Sequence, residues 1–369
     1  EKSAAGAAGP AAVNGGKPMK QIYVHGFFQS NFGDDLFVLS LAKRYPNTKF
    51  YVYALGTNQN AFLGQHNIVL PTRIDRVRRK VTHQLGLRRQ EVFDGQGLDG
   101  TVVIGGSILW EGANLDFPGG DGPRYLIGAN CESGCSEEYL QRLRKTLSGL
   151  TDCCLRDRFS KALIGDVPNV RCAPDVLYGW KPRQVNQAGR GIGISLVGKK
   201  GCFREEGTRE GYYRAIARLC DLCAEKEIPV RLLGFCDVEG DGEAIREIRS
   251  RVKSPKKLKS LLYQGNPERM LYEMNKCETI LATRFHAMIL GWVLKKNVVP
   301  VIYDEKQAHV LEDAGFCGPM WNALAGETTD GAALLEMCLQ MGGKMEITSL
   351  QTQAEEQFAG LDGFLLTTK

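Results

Sequence analysis

Arg284 and His286 stand two residues apart in LATRFHAMIL (281–290), an otherwise apolar run. ETILAT reads as the end of a strand, and FHAMILGWVL has helical spacing, so both residues fall in the first turn of a helix. There the unpaired N–H groups and the dipole favour an anion, and an arginine demands a negative partner. A ligand carboxylate or phosphate would suit a guanidinium fork. The alternative is a buried Arg–Asp pair beside a core histidine. Lys306, in YDEKQAHVLEDAG, repeats the geometry after the next strand and invites an anion or stands exposed. In NFGDDL, Asn31, Gly33 and Asp34 form a polar turn before a helix, with Asp34 or Asp35 as N-cap. Gly33 lets the backbone turn or approach a ligand; Asn31 and Asp34 could contact an acceptor hydroxyl. Gly105, Gly106 and Ser107, in IGGSILWEG, leave room for close approach and offer a hydroxyl, or mark only a tight turn. They do not spell a dinucleotide fingerprint. Arg156 and Arg158 are candidates for ion pairs with Asp157 or Asp175, and Asp175 could simply fix the chain near a hinge.

The elements that position these residues alternate between strand and helix. QIYVHG, KFYVYAL, TVVIGG and NVRCAPD read as strands in the first half. IGISLVG, PVRLLGF, SLLYQG, ETILAT and VVPVIY read as strands in the second, and the tail from Gly331 reads as helices. Such alternation means parallel sheets covered on both faces. The expected fold is α/β, two Rossmann-like domains facing across a cleft, with ligands outside the carboxyl ends of the strands. The Gly- and Pro-containing stretch GWKPRQVNQAGRG marks the boundary. Residues 1–18, rich in Ala, Gly and Pro, read as a linker or remnant ahead of Met19. Residues 19–180 form one domain and 190–345 the other. Residues 346–369 form a C-terminal helix that packs back on the first domain.

With 47 basic and 42 acidic residues the net charge is +5, too weak to argue for nucleic acid and compatible with an anionic small molecule. The 12 cysteines show no disulfide framework and read as reduced thiols of a cytoplasmic protein. Zinc through Cys131 and Cys135, or Cys220 and Cys223, lacks the remaining ligands, so no metal site is expected. No apolar run reaches the ~18 residues of a membrane span.

Taken in order, NFGDDL, VIGGSILWE, LRDRFS, APDVLY, TRFHAMILG and YDEKQ resemble the motifs of the polysaccharide pyruvyl transferase family. The resemblance runs from about Met19 to Gly315, with Ser107 where the family often has a third glycine. It implies a GT-B-like fold, phosphoenolpyruvate as donor and a glycan or lipid-linked sugar as acceptor. The product would be a cyclic pyruvyl ketal in a cell-surface polysaccharide. No cofactor or metal is then needed. Arg284 and Lys306 would hold the donor's anionic groups, with Gly105, Gly106 and Ser107. Asn31, Asp34 and Arg156 would meet the acceptor. His286 would be acid or base near neutral pH, and Asp34 would orient or deprotonate the acceptor.

Two other functions are compatible with the residues. A nucleotide-sugar glycosyltransferase would need a ribose-binding carboxylate, for which Glu305 or Glu312 could serve. A non-catalytic anion-binding protein would use the same cations without turnover. The segment Arg73–Arg89 is a basic helix that would either present a solvated face or touch an anionic membrane at the inner face of the cytoplasmic membrane.

Overall fold

A computed structural model of the protein describes residues 19–85, 97–117, 122–183, 189–198, 206–325 and 329–367. The expectations for residues 1–18, Gly86, Arg88 and Arg89 fall outside these, as do the side chains of Arg76, Arg78, Arg79 and Lys80. The first half begins with β1 (Lys20–His25), α1 (Phe32–Arg44), β2 (Thr48–Val52), β3 (Ile68–Val69) and α2 (Arg73–Gln84). It continues through β4 (Gly100–Ile104), β5 (Ser107–Leu109), β6 (Arg124–Cys131), α3 (Glu137–Ser148), β7 (Asp152–Leu155), α4 (Arg158–Ile164) and β8 (Val170–Cys172). Among the described residues these strands make one eight-stranded parallel sheet, ordered β3-β2-β1-β4-β6-β7-β8, with β5 on β6.

The second half runs β9 (Ile192–Leu196), α5 (Glu206–Glu225), β10 (Val230–Gly234), α6 (Asp241–Arg251), β11 (Leu258–Leu262), α7 (Pro267–Asn275) and β12 (Thr279–Ala282). Then come α8 (Phe285–Val293), β13 (Asn297–Ile302), α9 (Glu305–Asp313), β14 (Trp321–Asn322), α10 (Gly331–Leu339), α11 (Thr348–Ala354) and α12 (Ala359–Leu365). Its parallel sheet is ordered β11-β10-β9-β12-β13-β14. In both sheets the chain lays three strands one way, then reverses to the other side of the first. That reversal opens a crevice at the carboxyl ends of β1 and β4, and again at β9 and β12.

The central strands are apolar on both faces, as a sheet sandwiched between helices requires; β4, β9, β12 and β13 are buried along their whole length. One apolar core runs through both halves, from Ile22 and Phe50 to Phe235, Met288 and Leu361. The tail lies on the first sheet. Gln357, fully buried, accepts from Gly128 N (3.0 Å) and donates to the carbonyls of Leu155 (3.1 Å) and Ala173 (2.7 Å). Arg44 forks onto Asp362 at 2.8 and 2.6 Å.

Two local expectations change. The cap of α1 is Asn31, whose side chain accepts from Gly33 N at 3.1 Å; Asp34 and Asp35 lie inside the first turn instead. A side-chain oxygen placed before the helix can reach back to its free N–H groups, whereas an oxygen on the turn itself points away. After the two glycines, read as room for close approach or a tight turn, SIL pairs with β6 as a short strand of its own.

Candidate functional site

The carboxyl ends of both sheets meet at a cavity of about 1230 Å³. Asn31 and Asp34 line it after β1, and Gly106 and Ser107 after β4. Arg156 comes from the end of β7, Arg284 and His286 from the end of β12, and Lys306 from the end of β13. Gly105 sits behind this wall, against Ile108 and Asp34 Oδ1. Glu305 is on the wall; Glu312, two turns along α9, is not among the lining residues.

The two halves touch at the start of α1. Phe32 N donates to Phe235 O at 3.0 Å, and the two rings meet edge to face at 4.9 Å. Tyr263 donates its hydroxyl to Asp35 Oδ2 at 2.7 Å. The His286 imidazole lies directly on Gly33. A methyl there would overlap Nδ1 outright and come within 2.5 Å of Cγ and Cε1. Gly33 is therefore needed for a neighbouring ring from the other half, not for a backbone turn.

His286 is packed edge-on by Phe37 and Phe285, each 5.2 Å between ring centres. Its Nε2 is buried 3.7 Å from Asp175 Oδ2, too far for a hydrogen bond and without another partner among the described residues. Burial lowers the imidazole pKa, and the nearby Asp175 carboxylate only partly offsets this, so the ring is neutral at pH 7. Burial acts to raise the pKa of Asp175, but His286, Arg156 and the Leu177 N–H outweigh it and leave the carboxyl below its usual value. Asp34 is the opposite case. Burial, and then the charge of Glu239, push its carboxyl up to about 7.

Each cation on the wall already has an acid of this chain. Arg156 donates to Asp175 Oδ2 at 3.1 Å and Asn130 Oδ1 at 2.5 Å, and its guanidinium lies 4.0 Å over the Phe285 ring. Gly106 makes room for it, since a methyl there would meet Nη1 at 2.5 Å. Arg158 turns instead to Asp313, through its N–H at 2.7 Å, and Asp157 caps α4. Asp175 does fix the chain, accepting from Leu177 N at 2.9 Å. Lys306 pairs with Asp304, the cap of α9, at 3.1 Å.

Arg284 corrects the simplest sequence argument. The negative partner its position demands is supplied by Asp241 and Glu239. Its Nε reaches Asp241 Oδ2 at 3.0 Å, and its backbone N–H is taken by Ser195 Oγ at 3.0 Å. Asp241 is fully buried and also accepts from the backbone N–H groups of Phe235 (2.7 Å), Cys236 (2.9 Å) and Gly198 (3.2 Å). It ties β9, β10, α6 and α8 together under the cavity. Sequence alone does not single out Asp241, Glu239 and Asn130, nor Trp110, a half-exposed indole on the cavity rim. For Asp241 a signal was available: an acid opening the helix that follows a strand of the second sheet.

Two open parallel sheets, each reversed at its centre and sharing one cavity at their carboxyl ends, define the GT-B arrangement. Solved structures with this fold include UDP-GlcNAc 2-epimerase of Neisseria meningitidis (TM-score 0.56, 11% identity, 93% of this chain and 99% of that one). The S. aureus MnaA–UDP structure is similar (TM-score 0.58, 12% identity, 94% and 97%), as is UDP-GlcNAc 2-epimerase of Methanocaldococcus jannaschii (0.54, 12%, 92% and 100%). At such identities the likeness defines the fold alone. The family is fixed by sequence: residues 11–305 match the polysaccharide pyruvyl transferase family, and the chain belongs to it. No curated protein matches the chain.

Proposed function

We propose that the protein transfers the pyruvyl group of phosphoenolpyruvate to two hydroxyls of a glycan or lipid-linked sugar, forming a cyclic ketal. One observation carries the reading. A single cavity brings together a carboxyl poised near neutrality (Asp34), a neutral imidazole (His286) and three cations (Arg156, Arg284, Lys306). Environments that drive two titratable groups apart separate an acid from a base.

Asp34, partly protonated at pH 7, gives its proton to the methylene carbon of the donor. The double-bond electrons form the new C–H bond and leave C2 electron-poor. An acceptor hydroxyl adds its oxygen to C2, and His286 takes the released proton. Asp175, within ion-pair reach of Nε2, favours the tautomer that leaves Nδ1 basic. The phosphate departs with its C–O electron pair. A second hydroxyl adds to C2 and closes the ring, and its proton leaves with the phosphate. Lys306 and Arg284 hold the carboxylate and phosphate, Arg284 while braced from behind by Asp241, and Arg156 meets the acceptor. These charges are in place before the donor arrives, so they stabilise the developing charge with little reorganisation.

The test is phosphate release from phosphoenolpyruvate with candidate glycans, with the ketal methyl of the product followed by NMR. Release that depends on the glycan and is lost in His286→Ala supports the reading. Thermal stabilisation by nucleotide sugars but not by phosphoenolpyruvate, with no phosphate release, overturns it.

A further inference from the structure

The basic helix α2 lies apart from the cavity, and its residues make an unusual surface. Thr72 and Asp75 close its first turn reciprocally. Thr72 N and Oγ1 donate to Asp75 Oδ2 at 2.6 and 2.7 Å, and Asp75 N donates back to Thr72 Oγ1 at 3.2 Å. Leu85 N extends the last turn by bonding to Val81 O at 3.0 Å. The helix is thus well formed, yet its apolar residues do not face the protein core. Ile74 is 77% exposed, Val77 64%, Val81 49% and Leu85 68%.

At 3.6 residues per turn these four positions fall within an arc of roughly 80°. They form one continuous apolar stripe turned to solvent. The sequence of the same helix carries five basic residues, Arg73, Arg76, Arg78, Arg79 and Lys80. Asp75 is the one acid among residues 73–84. A 12-residue helix is marginal in water unless its apolar face is covered. A stripe of Ile, Val and Leu on a helix whose sequence is this rich in arginine and lysine suits one kind of cover: the boundary between acyl chains and anionic headgroups. Because α2 begins just after β3, at the carboxyl edge of the parallel sheet, it starts on the same side of that sheet as the cavity.

We propose that α2 lies flat in the surface of an anionic lipid bilayer, with Ile74, Val77, Val81 and Leu85 immersed and the basic residues at the headgroups. Lipid phosphates neutralise the arginines, and the acyl boundary removes the stripe from water. The contact is peripheral; among the described residues no helix is long and apolar enough to cross a membrane. The inference stands apart from the reaction proposed above, since it concerns a surface and not the cavity.

The test is co-sedimentation of the full chain with vesicles of phosphatidylcholine alone and with vesicles containing phosphatidylglycerol. The expected result is binding to anionic vesicles at least tenfold tighter than to neutral ones, weakened by salt. The variant Ile74→Ser/Val77→Ser/Val81→Ser loses that binding by more than tenfold, with an unchanged melting temperature because these side chains are exposed. Arg73→Gln/Arg76→Gln/Arg79→Gln loses the preference for anionic lipid. Equal sedimentation of the triple serine variant and the parent overturns the inference, as does the absence of binding to either vesicle. Concentration-dependent dimerisation that the serine variant abolishes, without vesicle binding, also overturns it and assigns the stripe to a second copy of the chain.

Discussion

The contact between Gly33 and His286 is the most exacting claim about geometry, and Gly33→Ala tests it. The added methyl overlaps the imidazole, so either the ring leaves its place or α1 and α8 separate. Overpacking of this kind costs about 1–3 kcal/mol. Alanine in a helix gains up to about 1 kcal/mol over glycine, less near the first turn, where Gly33 sits. The net expectation is a loss of about 1–2 kcal/mol in the parent protein. In a His286→Ala background the ring is gone and only the helix-propensity gain remains, so the same substitution is neutral or slightly stabilising. Urea unfolding of the four proteins in this cycle should give a coupling energy of about 1–3 kcal/mol. Turnover should fall by about 10²–10⁴-fold in Gly33→Ala, as for loss of a positioned base. The double variant should be no worse than His286→Ala alone. Additivity of the two stability changes within about 0.5 kcal/mol would refute the placement of the ring, whatever the reaction is.

Residues on and beneath the cavity wall give further expectations. Asp35 has its carboxyl raised to about 8, chiefly by burial. Its proton is held more tightly in the folded chain than in the unfolded one. The associated stability is full below pH ~4 and is lost as pH rises towards about 8. Asp35→Asn, which keeps an acceptor for Tyr263, should flatten that decline, worth up to a few kcal/mol, in melting temperatures taken from pH 5 to 8. Asp241→Ala should destabilise by about 3–5 kcal/mol in urea, because it leaves Arg284 buried with a lost partner. An effect under about 1 kcal/mol would show that Glu239 alone suffices. Trp110→Ala should raise the acceptor KM about fivefold by removing an aromatic face worth about 1 kcal/mol, with the donor KM and the melting temperature unchanged. An equal effect on the donor KM would place the indole elsewhere.

The positions of the strand ends were legible because apolar runs stop there on glycines, acids or arginines, and the site is built from the residues just beyond those ends. The need of Arg284 for a negative charge was also legible from its place at a helix start. The identity of that charge was not. Asp241 is 43 residues away in sequence and arrives beside Arg284 only once β10 and β12 flank β9. NFGDDL offers three cap-capable side chains in five residues, and local chemistry does not choose among them. The fold does, by letting Asn31 cap the turn and Asp34 face the cavity. Gly33 was recognisable as a glycine with a purpose, but its reason is a ring from the other half of the chain. In α2 the charges were plain in the sequence, whereas the outward turn of its aliphatic side chains appears only with the sheet in place.

The meeting of His286 with Gly33 sets an order of events during synthesis. The ribosome releases Asn31 and Asp34 long before it has made the imidazole, and the first half emerges with Phe32 and Phe37 lacking their later neighbours. The shared cavity is complete only when the second half has emerged and docked. A chain cut short between the two sheets would keep only half of that cavity and would leave apolar side chains of the shared core without cover.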